Sequence, residues 1–174
     1  MAVVTGSGIG QADIALLAKK FSVTFPRDYS DFLRTYNGFR VKSPDYCNMR
    51  FDKVDNGFIS FDALFGHGGS NEYFDMLAMN QELLDELDFV AAAAIIGADP
   101  GGNYYVLITE GQQSGVYYWD RSCLHAEDAK RGYDIAGGEP CQHLYQVAAT
   151  FQQFFDTVAE LTIRKGMSVS AYVG

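Results

Sequence analysis

Apolar residues repeat at helical spacing near both ends of the chain and form short runs in its middle. This order limits the fold more than composition does, because helical and strand periodicities place side chains differently. Ile14, Leu17 and Phe21 give the first helical repeat, and Pro26 stands where the second helix should start. The predicted helices cover residues 11–20, 26–37, 71–87 and 144–161.

The middle of the chain predicts a sheet. Aromatic and β-branched residues are common there, and Pro, Asp, Asn and Gly separate the apolar runs. Predicted strands are Phe39 to Lys42, Met49 to Phe51, Phe58 to Phe61, Ala93 to Gly97, and a hairpin of Asn103 to Thr109 with Val116 to Trp119. Helices first, strands next and a helix last favour one α+β domain with a mixed or antiparallel sheet. We expect it to span residues 11–162, with flexible termini at 1–10 and 163–174.

Cysteine usage and the N-terminal sequence indicate where such a chain works. Cys47, Cys123 and Cys141 are an odd number at unrelated spacings, which favours free thiols over a disulfide framework. The first ten residues lack the basic start of a signal peptide, and no apolar run reaches the length of a membrane span. We therefore expect a cytoplasmic protein.

The net charge of −9 is concentrated in the middle of the chain. Residues 54–120 contain eleven Asp and Glu and no Lys or Arg. This charge argues against nucleic acid or an anionic membrane as a direct partner. Two interpretations remain, namely a surface that only keeps the protein soluble, or a face that meets a basic partner.

The spacing of the acids suggests which of them such a face would use. On the predicted third helix, Glu72, Asp75, Glu82 and Glu86 lie away from the apolar positions. We expect Asp99, in the turn Asp-Pro-Gly-Gly, and Asp120, at the end of a strand, to be exposed and to contribute. The side chain of Asp99 can also bond the amides that follow it. These six residues form the predicted partner-binding set.

Catalytic and cofactor sites find little support. The glycines from Gly6 to Gly10 do not fit a dinucleotide-binding turn, because its third glycine should be residue 11 or 13 and these are Gln11 and Asp13. Cys123 with His125 and Cys141 with His143 repeat a Cys-x-His pair, but one intervening residue is tighter than zinc sites normally use. Carboxylates are numerous and no spacing selects a catalytic pair. We expect no enzyme activity, no metal and no cofactor.

Four segments resemble the motifs of the SUKH superfamily. Phe25-Pro26-Arg27-Asp28-Tyr29 through Tyr36-Asn37-Gly38 is similar to its "LPxDYxxFLxxxNG" opening, and Ile96-Gly97-Ala98-Asp99 with Gly102-Asn103 to its "IGxDxxGN" turn. Val116 to Asp120 resembles its "VYxWD" strand, and Val147 to Phe155 its closing helix. Phe25 replaces the usual Leu, and Thr150 the usual Ser.

The resemblance implies a single α+β domain without catalytic residues. It also implies an immunity protein, which binds and neutralises a cognate toxin, often a nuclease, in the producing cell. An acidic protein can occupy the basic surface with which a nuclease holds nucleic acid, so the charge pattern agrees with this expectation. The alternative is a regulatory or scaffold protein of the same fold with a non-toxin partner.

Overall fold

A computed structural model of the protein describes residues 2–42, 44–54, 56–125, 132–138 and 142–171. It contains four α-helices and ten strands within these ranges. The helices are α1 (Gln11–Phe21), α2 (Arg27–Thr35), α3 (Met76–Leu83) and α4 (Phe151–Leu161). The strands are β1 (Ala2–Thr5), β2 (Phe39–Val41), β3 (Cys47–Arg50), β4 (Phe58–Phe61), β5 (Ala63–Leu64), β6 (Ala93–Ala98), β7 (Tyr104–Ile108), β8 (Gly115–Trp119), β9 (Leu144–Ala148) and β10 (Ser168–Ala171).

Eight of the strands form one mixed sheet in the order β10-β1-β2-β5-β6-β7-β8-β9. Only β1 and β10 pair in parallel, and every other pairing in this sheet is antiparallel. Strands β3 and β4 form a separate hairpin. The prediction of one α+β domain with helices packed on a mixed sheet is confirmed.

The predicted hairpin is also confirmed. Strands β7 and β8 pair antiparallel, with Tyr104 opposite Trp119 and Ile108 opposite Gly115. Both strands lie inside the sheet, with a neighbouring strand on each side. Nearly all their residues are buried, on both faces of the sheet. This explains why their sequences read as continuous apolar runs rather than as alternation.

The closing helix is shorter than predicted. Residues Leu144–Ala148 form β9, which pairs with β8, and the helix starts only at Phe151. Thr150 has extended backbone and its side chain accepts a hydrogen bond from the amide of Gln153 at 3.2 Å, so it caps α4. A short apolar run fits a buried strand as well as a helix, and the capping threonine was the signal that separates them.

The third predicted helix is divided. The α-helical part is Met76–Leu83, with 3-10 turns at Glu72–Phe74 and Leu84–Leu87. Asp75 has extended backbone and caps α3, which separates the first turn from the helix.

Both terminal segments expected to be flexible contribute strands. Strand β1 lies between β10 and β2, and its Val3 is fully buried. The apolar run near the N-terminus was too short to predict a strand. The strands that pair with it also lie far away in the sequence. Within the described ranges, no helix has the length and apolar content to cross a membrane.

The helix α3 is fixed to the sheet by a buried amide. Strand β5 has two residues and β6 has six, so β5 leaves part of β6 without a neighbouring strand on that side. The Oδ1 atom of Asn80 accepts from the amide of Ile95 at 2.8 Å, and its Nδ2 donates to the carbonyl of Ile95 at 2.7 Å. Asn80 thereby replaces a strand at this position and satisfies buried backbone groups that would otherwise destabilise the fold.

The helices α2 and α4 meet through aromatic rings. The ring of Phe151 lies 4.8 Å from that of Tyr29 and 5.2 Å from that of Phe32, measured between centroids. All three residues are buried. This aromatic cluster positions α4 against α2 on the sheet.

Phe151→Ala should therefore lower the free energy of unfolding by about 3–5 kcal/mol, since it removes a buried ring and leaves a cavity. Urea denaturation followed by circular dichroism measures the change. Phe58→Ala is the matched control, because Phe58 is about half exposed (51 %) and its truncation should cost less than about 1 kcal/mol. Equal losses in the two variants would contradict this view of the core.

Candidate partner-binding surface

The six acidic residues predicted to bind a partner do not form one surface. Glu72 and Glu82 are exposed, and Glu86 is partly exposed. The carboxylates of Asp75, Asp99 and Asp120 are instead occupied by hydrogen bonds within the protein. These three are structural residues, and the expectation that they are exposed is wrong.

Asp75 joins α3 to the glycine-rich loop before it. Its Oδ1 accepts from the amides of Leu77 and Ala78 at 2.9 and 3.0 Å, which caps the helix. Its Oδ2 accepts from the amide of Gly68 at 2.8 Å and lies 3.2 Å from Nδ1 of His67. Only 14 % of the side chain is exposed, because both oxygens point to these partners.

Asp99 holds the turn between β6 and β7. Its carboxylate accepts from the amides of Gly101 and Asn103 at 2.8 and 2.9 Å, and from Nδ2 of Asn103 at 3.0 Å. The hydroxyl of Tyr118 donates to Oδ2 at 2.8 Å. Burial, and then the neighbouring charge of Asp99, raise the pKa of Tyr118, so this hydroxyl remains a donor. The predicted bonding of the following amides is confirmed, while the carboxylate is buried.

Asp120 has the same role at the end of β8. Its two oxygens accept from the amides of Leu124 and His125 at 2.8 and 2.7 Å, and the residue is 2 % exposed. Trp119 beside it is fully buried. The Trp-Asp pair therefore ends the strand and starts the next turn, and it has no surface for a partner.

Glu86 is neutralised by a residue just outside the segment that lacks basic residues. Its two oxygens accept from Nε and Nη2 of Arg121 at 2.9 and 2.8 Å. This hydrogen bonding lowers the pKa of Glu86 below its usual value. A map of charge along the sequence could not show the pair, because Arg121 follows strand β8 and meets the 3-10 turn after α3 only in the folded protein.

A cluster of exposed carboxylates does remain, and we call Glu82, Asp85, Glu86 and Asp88 the acidic ridge. Glu82, Asp85 and Asp88 are exposed, and no ion pair within the described ranges includes them. These three residues follow one another at a spacing of three, from the last turn of α3 through the 3-10 turn to the residue that ends it. The helix periodicity used for the prediction selected Glu82 and Glu86 and missed Asp85 and Asp88.

A shallow groove of about 330 Å³, whose wall has both apolar and polar surface, lies beside the acidic ridge. Asp85 and Asp88 are part of its lining. Its apolar wall comes from the end of α1, the 3-10 turn after α3 and the start of β6. The apolar residues are Phe21, Leu84, Leu87, Val90, Ala92 and Ala93.

A larger cavity of about 680 Å³ lies between the two glycine-rich segments. Gly6, Ser7 and residues 66–70 line it, and the guanidinium of Arg40 lies 4.6 Å from the ring centroid of Phe74. A Cβ atom on Gly6 would overlap the backbone of Asn37, so this glycine allows close packing rather than the approach of a phosphate.

Asn37 shapes the same cavity. Its Nδ2 donates to the carbonyl of His67 at 2.9 Å, and its Oδ1 accepts from the amide of His67 at 2.8 Å. The predicted helix over residues 26–37 uses Asn37 only as its last residue, which the φ of 41° fits. The second role of Asn37, holding the loop, depends on a contact across 30 residues of sequence.

The two Cys-x-His pairs do not assemble a described metal site. Cys123 takes part in a disulfide, so the expectation of free thiols is wrong for this residue, whereas Cys47 is a buried free thiol. Cys141 lies outside the described residues. The ring of His143 stacks on Tyr133 at 4.1 Å between centroids. Over the described part of the chain, no group of three His, Cys, Asp or Glu could hold a metal ion. The absence of zinc stays a prediction.

Comparison with known proteins identifies one related family. The sequence model of the SMI1 / KNR4 family (SUKH-1) matches residues 8–157. The match includes all four segments that suggested the resemblance, and it leaves β1 and β10 outside. No curated protein shows a significant match to the chain.

The two kinds of acid on α3 should respond differently to truncation. Asp75→Ala should lower the free energy of unfolding by about 1–2 kcal/mol, because it removes a helix cap. Glu82→Ala should change it by no more than about 0.5 kcal/mol, since this side chain is exposed and without a described ion pair. Chemical denaturation of both variants at the same pH measures the difference. A wild-type stability for Asp75→Ala would contradict its structural role.

Proposed function

The chain belongs to the SMI1 / KNR4 family (SUKH-1), and we propose that it is a non-enzymatic immunity protein that binds and neutralises a cognate toxin. The observation that carries the proposal is the acidic ridge, whose Glu82, Asp85 and Asp88 are exposed and form no ion pair within the described residues. The toxin domain would be basic, as a nuclease is where it holds nucleic acid.

The electrostatics of the ridge favour this kind of partner. Several exposed carboxylates in one segment create a negative potential that attracts a basic surface over a Debye length, about 8–10 Å at physiological salt. Such complementary charges mainly raise the association rate. An immunity protein benefits from fast association, because its toxin must be captured before it acts.

The groove beside the ridge would supply the apolar part of the interface. Protein interfaces combine a buried apolar centre with a polar rim. Leu84 and Val90 are partly exposed in the groove, and the carboxylates of Asp85 and Asp88 stand at its edge. A partner side chain could place its aliphatic part in the groove and its cationic end against the ridge, as Lys and Arg commonly do.

The proposed site of action is the cytoplasm of the producing cell, where a nuclease toxin would reach its substrate. The disulfide of Cys123 argues in the other direction, because disulfides are rare in reducing compartments. Measuring the thiol content of the protein purified from its own cells would decide between the two environments.

Affinity purification from the source cell tests the proposed function directly. The expected partner is a protein with a basic toxin domain, and co-expression of the chain should abolish the toxicity of that domain. A partner without toxicity would instead favour a regulatory or scaffold role in the same fold. Toxicity that co-expression leaves unchanged would contradict the proposal.

The variant with Glu82→Lys, Asp85→Lys and Asp88→Lys should associate with the partner at least about tenfold more slowly at low salt, because electrostatic steering is reversed. The wild-type association rate should fall as salt rises, whereas the rate of this variant should not. Stopped-flow binding at two ionic strengths provides the measurement.

The control carries Asp52→Lys, Glu110→Lys and Glu160→Lys, which change the net charge equally at exposed acids outside the ridge. It should keep most of the wild-type rate. Equal slowing of the two variants would indicate an effect of net charge alone and would contradict a role for the ridge.

A further inference from the structure

The two edges of the eight-stranded sheet differ in how they are protected. The outer edge of β9 is covered, since Ile135 and Leu144 exchange both backbone hydrogen bonds at 3.0 and 3.1 Å. The amide of Gln146 donates to Oδ2 of Asp134 at 2.6 Å, and its carbonyl accepts from Nζ of Lys53 at 3.3 Å. This edge is therefore closed to another strand.

The opposite edge, which we call the terminal edge, is the outer side of β10. All four residues of β10 are exposed, and no strand of the described part of the chain pairs with this side. Its sequence is Ser168-Val169-Ser170-Ala171, without a charge or a proline, and its register with β1 has no bulge. Natural edge strands normally carry a charge, a proline or a bulge, which prevents pairing with another chain.

The terminal edge is held in a conformation ready for pairing. Strand β10 pairs with β1 along its whole length, from Ala2 opposite Ser168 to Thr5 opposite Ala171. The hydroxyl of Ser170 donates to the carbonyl of Val3 at 3.4 Å, and Val3 is fully buried. A strand that adds to this edge would thus meet an ordered backbone, which is the requirement for strand addition.

Charge distinguishes a second copy from the basic partner as the occupant. Residues 161–174 contain Arg164 and Lys165 and no acid, and residues 1–10 contain no charged side chain. Strand β10 itself carries no charged side chain, and the two cations that precede it offer no attraction to a basic toxin domain. The terminal edge also avoids the repulsion that would oppose two copies meeting through their acidic segments.

The protected edge of β9 also limits the assembly. Within the described residues the eight-stranded sheet has one open edge and one closed edge, so pairing of two such sheets through the open edge uses the same surface on both copies. Such an isologous contact closes after two chains, whereas two open edges would permit a fibre.

We propose that β10 strands of two copies pair antiparallel about a two-fold axis and join the two sheets into one. Ser168 lies opposite Ala171 of the second copy, and Val169 opposite Ser170. The dimer is independent of the proposed toxin binding. Strands β1, β2 and β5 separate β10 from β6, on which α3 packs, so the acidic ridge of each copy remains accessible.

Sedimentation equilibrium from about 1 μM to about 1 mM protein tests the proposal, because a short edge should give a weak dimer. The wild type should shift from monomer to dimer over this range. Ser168→Lys with Ala171→Lys places like charges opposite each other across the axis and should weaken dimerisation at least tenfold. Ser168→Lys with Ala171→Glu places opposite charges there and should restore it.

Both double variants change the same two exposed residues, so their difference does not depend on an effect on folding. Leu16→Lys, at an exposed position on α1, should leave the dimer intact. A wild type that stays monomeric throughout the range would overturn the proposal, including the case in which only a partner protein pairs with this edge. Equal dimerisation of the two double variants would also overturn it.

Discussion

The arrangement of this protein depends on how the backbone of Ile95 is satisfied. A two-residue β5 cannot pair with the full length of β6, and a buried strand cannot leave its amide and carbonyl unbonded. The side chain of Asn80 makes both hydrogen bonds and so fixes the position of α3 against strand β6. The acidic ridge follows directly after α3, and its position relative to the sheet is a consequence of this one amide.

The residues that identify the family and the residues that could bind a partner are separate sets. Asp99 and Asn103 build a turn, and Asp120 ends a strand, all through bonds to backbone amides. None of their carboxylate or amide groups is available to another protein. A fold held by such internal bonds leaves the exposed acids of α3 and the following turn free to change without loss of structure.

The sequence predicted the elements whose signals are local. The helices α1 and α2 and the hairpin of β7 and β8 were found because periodicity, Pro26 and the glycine-containing loop all lie within a few residues of them. Strands β1, β5, β9 and β10 were missed, since each is only two residues long, is defined by a partner distant in sequence, or lies in an apolar run that also fits a helix.

The candidate surface was predicted only in part, for a related reason. Residue type and spacing indicate an acidic face, and Glu72 and Glu82 are indeed exposed. Burial of Asp99 and Asp120 and the pairing of Glu86 with Arg121 arise from tertiary contacts that spacing cannot reveal.

The parallel pairing of β1 with β10 has a consequence for biosynthesis. Strand β10 is made after every other described strand, so β1 must wait on the ribosome-bound chain without its outer neighbour. The sheet gains this pairing late, and a pairing between strands so distant in sequence forms slowly.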